Sequence, residues 1–248
     1  MSRWIACISL AFLPVAVVAQ PWSDDFDSYA PGPLDGQGGW EGWGNDAELG
    51  GAEVTDAQAS SAPHSLGLRP TTDMVRSIEG VDSGLWAVRG EIFIPSDHSG
   101  GTFVILLNRY SHGGPVNWST QLKFDSSQLI SQGGSGFRRG VSTDSITDRW
   151  VSFEILIDLD ANQQTIFYNG EVFDQTQWQR TGDDSLAAIN LYSDNGSDAY
   201  FDNLELVRVG SPQVPALSLG GFVLLVSSLL TVGFFVFPSV RRNALAAG

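Results

Sequence analysis

The fold class can be read from residues 150–157, Trp150-Val151-Ser152-Phe153-Glu154-Ile155-Leu156-Ile157. Apolar and polar residues alternate in the first half of this stretch, and apolar residues continue without interruption near its end. Alternation with a period of two is typical of a half-buried β-strand, whereas an unbroken apolar run indicates a strand covered on both faces. We therefore predict a strand near the centre of a β-sandwich.

The residues after this strand predict a hairpin. Residues 158–164 form a turn, residues 165–168 return antiparallel, and Asn169-Gly170 is a two-residue turn because both residue types tolerate positive φ. Similar short runs bounded by Gly, Asp, Asn and Ser recur along the chain, without a 3.6-residue apolar period. The predicted strands are residues 65–68, 85–94, 102–108, 119–124, 150–159, 164–168, 188–192 and 200–207. The sequence therefore predicts an all-β fold of two packed antiparallel sheets.

The amino-terminal residues 1–19 have the pattern of a signal peptide. Arg3 supplies the positive charge, residues 4–13 form the apolar segment, and Val17-Val18-Ala19 offers a cleavage site. The alternative is an uncleaved anchor, for which the apolar stretch is short.

Residues 216–237 near the carboxyl end contain 22 residues without a charge. At about 1.5 Å per residue, such a helix spans a hydrocarbon core of about 30 Å. Arg241 and Arg242 follow it and would hold the carboxyl terminus in the cytoplasm. A buried core helix is the alternative, but the segment has no polar face to meet water.

These features predict the organisation of an exported, single-pass protein of the cell envelope, with its main domain outside the cytoplasm and either retained, released or sorted to the surface. The expected segments are a signal peptide at residues 1–19, a β-sandwich domain at 20–209, a linker at 210–215, a transmembrane helix at 216–238 and a cytoplasmic basic tail at 239–248.

Charge and cysteine content exclude several classes of function. Between Gln20 and Val214 there are ten basic and 28 acidic residues, a formal net charge of −18. Such a field repels nucleic acid and anionic headgroups, and it suits divalent cations or neutral sugars. A generic solvated acidic surface is the alternative. The single cysteine, Cys7, lies in the signal peptide, so the mature protein has no disulfide, thiolate metal site or cysteine nucleophile.

Several stretches resemble bacterial concanavalin A-like, LamG-type jelly-roll domains. The segment 25–40, with Ala30-Pro31-Gly32-Pro33-Leu34-Asp35-Gly36 at its centre, resembles their opening. Residues 62–68, the hairpin of residues 150–170 and Tyr200-Phe201-Asp202-Asn203-Leu204 resemble later strands in the same order. The resemblance covers most of residues 24–207. It implies a jelly-roll β-sandwich of roughly a dozen strands, with adjacent first and last strands.

The tail resembles the IPTL-CTERM variety of PEP-CTERM-like sorting signals. The resemblance rests on Val214-Pro215-Ala216-Leu217-Ser218, the apolar segment and Arg241-Arg242. Ile-Pro-Thr-Leu-Ser is the pattern of such tails, so two positions of the motif differ here, and no Trp stands beside the glycine. The resemblance implies a bacterial export that is handled by a sorting protease and associated with exopolysaccharide. A plain membrane anchor is the alternative.

Catalytic motifs are missing from the sequence. The Glu-x-Asp-x-x-Glu pattern of glucanases with this fold is not found, and Glu154 and Asp158, at i and i+4, are the nearest approach. We expect both to be ordinary solvent-facing acids. The three histidines lie in separate loops, which argues against a zinc site. No nucleophile elbow or phosphate-binding loop is present.

Structural calcium is the cofactor that the resemblance implies. In jelly-roll relatives, an aspartate of the last strand and acids near the amino terminus share Ca²⁺, which prefers oxygen ligands. Asp202 matches the closing strand, and Asp25 or Asp27 would supply the opposing carboxylate. The alternative is that Asp202 accepts hydrogen bonds from backbone amides.

Four tryptophans lie in or beside loops: Trp43, Trp118 and Trp178 are candidates for stacking on sugar rings, and core packing is favoured for Trp40. Core packing is the alternative, since Trp is heavily buried on average. Together these observations predict a non-catalytic, membrane-anchored surface protein that binds a glycan or associates with extracellular matrix. A polysaccharide-active hydrolase or lyase, and a structural envelope protein without a small ligand, are the other two interpretations.

Overall fold

The computed structural model describes residues 21–133, 142–194, 196 and 198–210, which form two antiparallel β-sheets. The signal peptide, the sorting motif, the transmembrane segment and Arg241-Arg242 lie outside the described residues, so those predictions stay predictions. Within the described ranges, no helix is long and apolar enough to cross a membrane.

The first sheet contains nine of the described strands. The strands are β1 (Trp22–Asp24), β2 (Gly32–Pro33), β4 (Ala52–Thr55), β5 (Ser65–Leu68), β7 (Leu85–Phe93), β12 (Trp150–Asp158), β13 (Gln163–Tyr168), β14 (Glu171–Thr176) and β16 (Ala199–Arg208). Their order across the sheet is β14-β13-β12-β7-β16-β5-β4-β2, and β1 pairs with the later half of β16.

The second sheet contains the remaining seven described strands, in the order β11-β10-β9-β8-β15-β6-β3. They are β3 (Trp40–Gly42), β6 (Asp73–Ser77), β8 (Gly101–Arg109), β9 (Asn117–Phe124), β10 (Gln128–Gly133), β11 (Ser142–Asp144) and β15 (Ala188–Asp194). Two short 3₁₀ turns, Trp43–Asn45 and Ala47–Leu49, follow β3.

The hairpin predicted from residues 150–170 is confirmed. Val151, Phe153, Ile155 and Ile157 of β12 are buried, and the residues between them face outward. Both turn residues after β13 have positive φ, 51° at Asn169 and 78° at Gly170, which is the geometry that a two-residue hairpin turn requires.

All eight predicted strands are present, with ends that differ by at most two residues. The predicted strands do not include the short strands β1 to β4, β6, β10, β11 and β14. These strands have two to six residues, and their positions depend on pairing with distant partners more than on local pattern.

The core lies between the two sheets and is rich in aromatic side chains. Trp40, Trp86, Phe124 and Phe201 are among its largest fully buried members. The adjacency of the first and last strands, which the resemblance implied, is confirmed, since Trp22 of β1 pairs with Leu206 of β16.

Candidate functional site

A cleft of about 590 Å³ lies on the outer face of the second sheet. Strands β8, β9, β15 and β6 supply its floor, and the Trp43–Asn45 turn and the loop of residues 110–116 stand beside it. β8 is covered on both faces: Val104 packs in the core, and Ile105 packs in a separate outer cluster with Val75. The run of consecutive apolar residues in β8 is explained by this cover on both faces, because the loops cover its outward side.

Five aromatic side chains line the cleft. The rings of Trp43 and Trp118 are nearly parallel, with centroids 6.5 Å apart and an interplanar angle of 8°. The ring centroids of Tyr110 and Trp43 are 5.0 Å apart, and those of Phe103 and Tyr192 are 5.5 Å apart. Trp118 is 37% exposed, so a flat apolar surface faces solvent at the cleft.

The two walls are tied to each other by polar contacts. Gly44, whose φ of 68° suits glycine, donates its N–H to the Tyr110 hydroxyl at 3.3 Å. His112 of the same loop also contacts Glu41, just before the Trp43 turn, with its Nε2 2.7 Å from a carboxylate oxygen. These contacts hold the Trp43 turn against the loop and keep the aromatic walls in place.

The cleft has a small polar floor. Asn190 Nδ2 donates to Asp73 Oδ1 at 2.6 Å and to the Met74 carbonyl at 2.8 Å. Burial raises the pKa of Asp73, and the hydrogen bond from Asn190 opposes that rise. Gln121 of β9 lines the same cleft. Carboxylate, amide and aromatic groups thus converge, a combination that can bind a ligand with both apolar and hydroxyl faces.

Of the three candidate tryptophans, the structure brings Trp43 and Trp118 together and separates Trp178 from them. Trp178 is a core residue, 1% exposed, and its indole N–H donates to the Ser185 carbonyl at 3.2 Å. A ring enclosed in this way has no face for a sugar, so the prediction of Trp178 as a stacking platform is wrong. The loop position suggested exposure, but the loop folds over the ring.

The aspartates predicted to bind calcium accept hydrogen bonds from backbone amides. Asp202 is fully buried, and its carboxylate accepts hydrogen bonds from the amides of Ser60, Ser61 and Asn203 at 2.8 to 2.9 Å. The alternative, in which Asp202 accepts from backbone amides, is therefore confirmed. Asp27 accepts from the His64 amide at 2.9 Å, and Asp25 accepts from the Asp27 amide at 3.2 Å.

Both oxygens of the Asp202 carboxylate already accept N–H donors, so little of its acceptor capacity is left for a cation, whereas Asp25 and Asp27 each accept a backbone amide on one oxygen. No group of three or more acidic, histidine or cysteine side chains suited to a metal is found among the described residues.

We therefore expect that EDTA leaves the melting temperature of the purified protein unchanged, as measured by differential scanning calorimetry. Protein treated with EDTA and then given excess Mg²⁺ is the control for ionic effects. A melting temperature that EDTA lowers and Ca²⁺ restores would return Asp25, Asp27 and Asp202 to consideration as ligands.

Glu154 and Asp158 lie on the other sheet from the cleft and have structural partners. Glu154 pairs with Arg89, which also contacts Glu205 at 3.3 Å. Asp158 accepts from the Ala161 amide at 2.9 Å and so caps the turn after β12. Each acid has a structural role of its own.

Sequence reasoning missed Asp73, Phe103, Tyr110, Asn190 and Tyr192. A signal was present in β8, where consecutive apolar residues require cover on both faces. Asp73 and Tyr192 are more than a hundred positions apart in the chain, and the pairing of β6 with β15 brings them opposite each other. That register cannot be read from one sequence.

No protein-family model matches the sequence, and no curated protein matches it. Many solved structures are similar, among them a sialidase and a glycoside hydrolase domain. A sialidase has a TM-score of 0.50 and 11% identity over 79% of this chain, which spans only 19% of the sialidase chain. The catalytic domain of the glycoside hydrolase family 131 protein from Coprinopsis cinerea has a TM-score of 0.50 and 16% identity, and the match covers 77% of this chain and 94% of that one. At these identities the likeness shows the fold alone, a β-sandwich of two antiparallel sheets that is consistent with the predicted jelly roll.

Proposed function

We propose that this domain binds a glycan in the aromatic cleft. The nearly parallel pair of Trp43 and Trp118 at an open cleft carries the proposal. Sugars have apolar C–H faces that pack on indole rings, and their hydroxyl groups need polar partners such as those of the Asp73–Asn190 floor. The cleft volume also lies within the range of about 300–1,000 Å³ that small-molecule sites occupy.

Binding is favoured over catalysis by the acid content of the cleft. Glycoside hydrolysis generally uses two carboxylates that flank the scissile bond. Among the described residues that line the cleft, Asp73 is the one carboxylate. A polysaccharide-active hydrolase or lyase remains the second interpretation, and release of reducing sugar or of an unsaturated product, measured beside binding, would support it. A structural envelope protein would neither bind nor cleave.

The proposal includes export and membrane attachment. The apolar segments at residues 1–19 and 216–238 and the concentration of acidic residues between them support a domain outside the cytoplasm. The similarity of Val214-Pro215-Ala216-Leu217-Ser218 and Arg241-Arg242 to IPTL-CTERM tails supports a sorting protease and exopolysaccharide as partners. The mass of the protein isolated from native membranes tests this directly. A mature chain that begins at Gln20 is expected, and recovery of the intact chain from the cytosol would contradict export.

Replacing Trp118 or Trp43 by Ala should weaken glycan binding by about tenfold or more, because each change removes one ring of the stacking platform. The measurement is a glycan array screened with the full-length protein in mild detergent, followed by titration calorimetry with the best ligand.

The matched control is Trp150→Ala. Trp150 is half-buried on the outer face of the first sheet, where its ring centroid lies 5.8 Å from that of Phe93. We expect the control to bind like the wild type. Equal affinity in the wild type and both cleft variants would show that a bound glycan lies elsewhere.

A further inference from the structure

The charge of the cleft restricts the ligands that it can accept. Among the described lining residues, Asp73 is the one that carries a formal charge at neutral pH. Its hydrogen-bond partner Asn190 is neutral, so no basic group among the described lining residues neutralises the carboxylate. Burial raises the pKa of Tyr192, and the nearby carboxylates of Asp194 and Asp73 raise it further. The potential at the floor is therefore negative.

The aromatic walls add to this potential. The faces of Trp, Tyr and Phe rings carry negative charge density and attract ammonium groups within about 6 Å. The outer face of this sheet already contains such a contact, because Lys123 Nζ lies 5.9 Å from the centroid of Phe103. At the rim, His112 is engaged by Glu41. A cation that enters the cleft would thus meet one carboxylate and those rings that Lys123 does not already contact.

An acidic sugar would be repelled by the negative potential of the cleft. A uronic or sialic acid carboxylate would lie near Asp73 without a basic partner in the lining, and like charges in a partly desolvated site repel strongly. The formal charge of −18 between Gln20 and Val214 adds long-range repulsion. A neutral sugar would not be repelled, but it would lack the electrostatic attraction that a protonated amine has to Asp73.

We propose that the cleft selects amine-bearing glycans, in which the protonated amine of a hexosamine lies against the aromatic walls and pairs with Asp73. This inference rests on the proposed function and specifies its ligand class. Trp43 and Trp118 supply the stacking surface, and Asp73 discriminates amine-bearing from N-acetylated and acidic sugars.

The test compares three β-1,4-linked oligosaccharides of equal length, made of glucosamine, N-acetylglucosamine and glucuronic acid. Titration calorimetry with the full-length protein in detergent, at mildly acidic pH where the amine is protonated, should give glucosamine oligomers an affinity roughly tenfold or more above that of the N-acetylated ones. Glucuronic acid oligomers should not bind. In Asp73→Asn, which keeps an acceptor for Asn190, the affinity for the glucosamine oligomer should fall to that for the N-acetylated oligomer, so that the preference for the amine disappears.

The control for general attraction to an acidic protein is Glu171→Gln, at an exposed position on the first sheet. This variant should keep the preference for the amine. A preference that persists in Asp73→Asn, or that Glu171→Gln reduces equally, would overturn the role of Asp73. Equal affinity of the wild type for aminated and N-acetylated oligomers would overturn the inference and leave glycan binding intact. Failure to bind any oligomer or any glycan on the array would overturn both.

Discussion

Replacement of Asp202 by Ala should lower the free energy of unfolding by about 3–5 kcal/mol, because several buried amide donors would lose their acceptor at once. The carboxylate is fully buried and joins β16 to the loop at Ser60 and Ser61. It also accepts from Asn203, which has a φ of 51° beside an irregularity in the β16–β7 register. Urea unfolding followed by tryptophan fluorescence measures the change.

Two variants make this measurement specific. Asp202→Asn keeps one acceptor oxygen and should cost less than Asp202→Ala. Asp56→Ala, at an exposed position on the preceding loop, should change stability by less than about 0.5 kcal/mol. If Asp202→Ala is no less stable than Asp56→Ala, the amide contacts of Asp202 do not stabilise the fold.

The stability difference between the wild type and Asp202→Ala should depend on pH in a definite direction. Burial raises the pKa of Asp202, although the amides of Ser61, Asn203 and Ser60 oppose the rise. A carboxyl group whose folded-state pKa is raised contributes stability below its unfolded pKa of about 3.9, and this contribution is lost as pH rises through the folded-state pKa. The difference in stability between the wild type and Asp202→Ala should therefore grow as the pH falls from neutrality toward about 4.

Replacement of Trp40 by Ala should cost about 3–5 kcal/mol, since it leaves a large cavity between the sheets. Trp40 is fully buried, and its indole N–H donates to Asp24 Oδ2 at 2.8 Å. Asp24 also pairs with Arg76 at 3.1 Å, and the Arg76 guanidinium lies 4.3 Å from the centroid of the Trp22 ring. The variant would therefore remove one of the donors to a buried carboxylate as well as the packing. Thermal unfolding followed by calorimetry measures the loss.

Trp40→Phe separates the two contributions, because it keeps a buried ring and loses the hydrogen bond. Its cost should be smaller than that of Trp40→Ala. The matched control is Trp118→Ala, which removes the same side chain from an exposed position and should cost less than about 1 kcal/mol. Equal destabilisation by Trp40→Ala and Trp118→Ala would contradict the central place of Trp40 in the core.

The fold could be predicted from sequence because its longest strands carry a local signal. In β12, burial alternates as the residue pattern predicts, and the turn at Asn169-Gly170 uses residues whose backbone preferences match its geometry. The short strands carry no such signal. β3 contains Trp-Glu-Gly, and its place beside β6 depends on contacts that form only in the folded chain.

The candidate site was predicted only in part, and the reason is physical. Trp43 and Trp118 were identified by residue type and loop context, but the same criteria selected Trp178, which is buried. Exposure depends on how a loop packs, and a sequence does not contain that information locally. Asp73 was missed because its importance comes from its strand partners, which set both its burial and its neighbours.

The position of β16 has a consequence for how the chain can be made. This strand comes last among the described strands, yet it lies between β7 and β5 in the middle of the first sheet. A ribosome releases residues in order, so β7 and β5 must wait with unpaired edges until Arg208 has emerged. Unpaired edges invite association with other chains, and premature termination before Ala199 should therefore yield aggregates rather than a smaller folded domain.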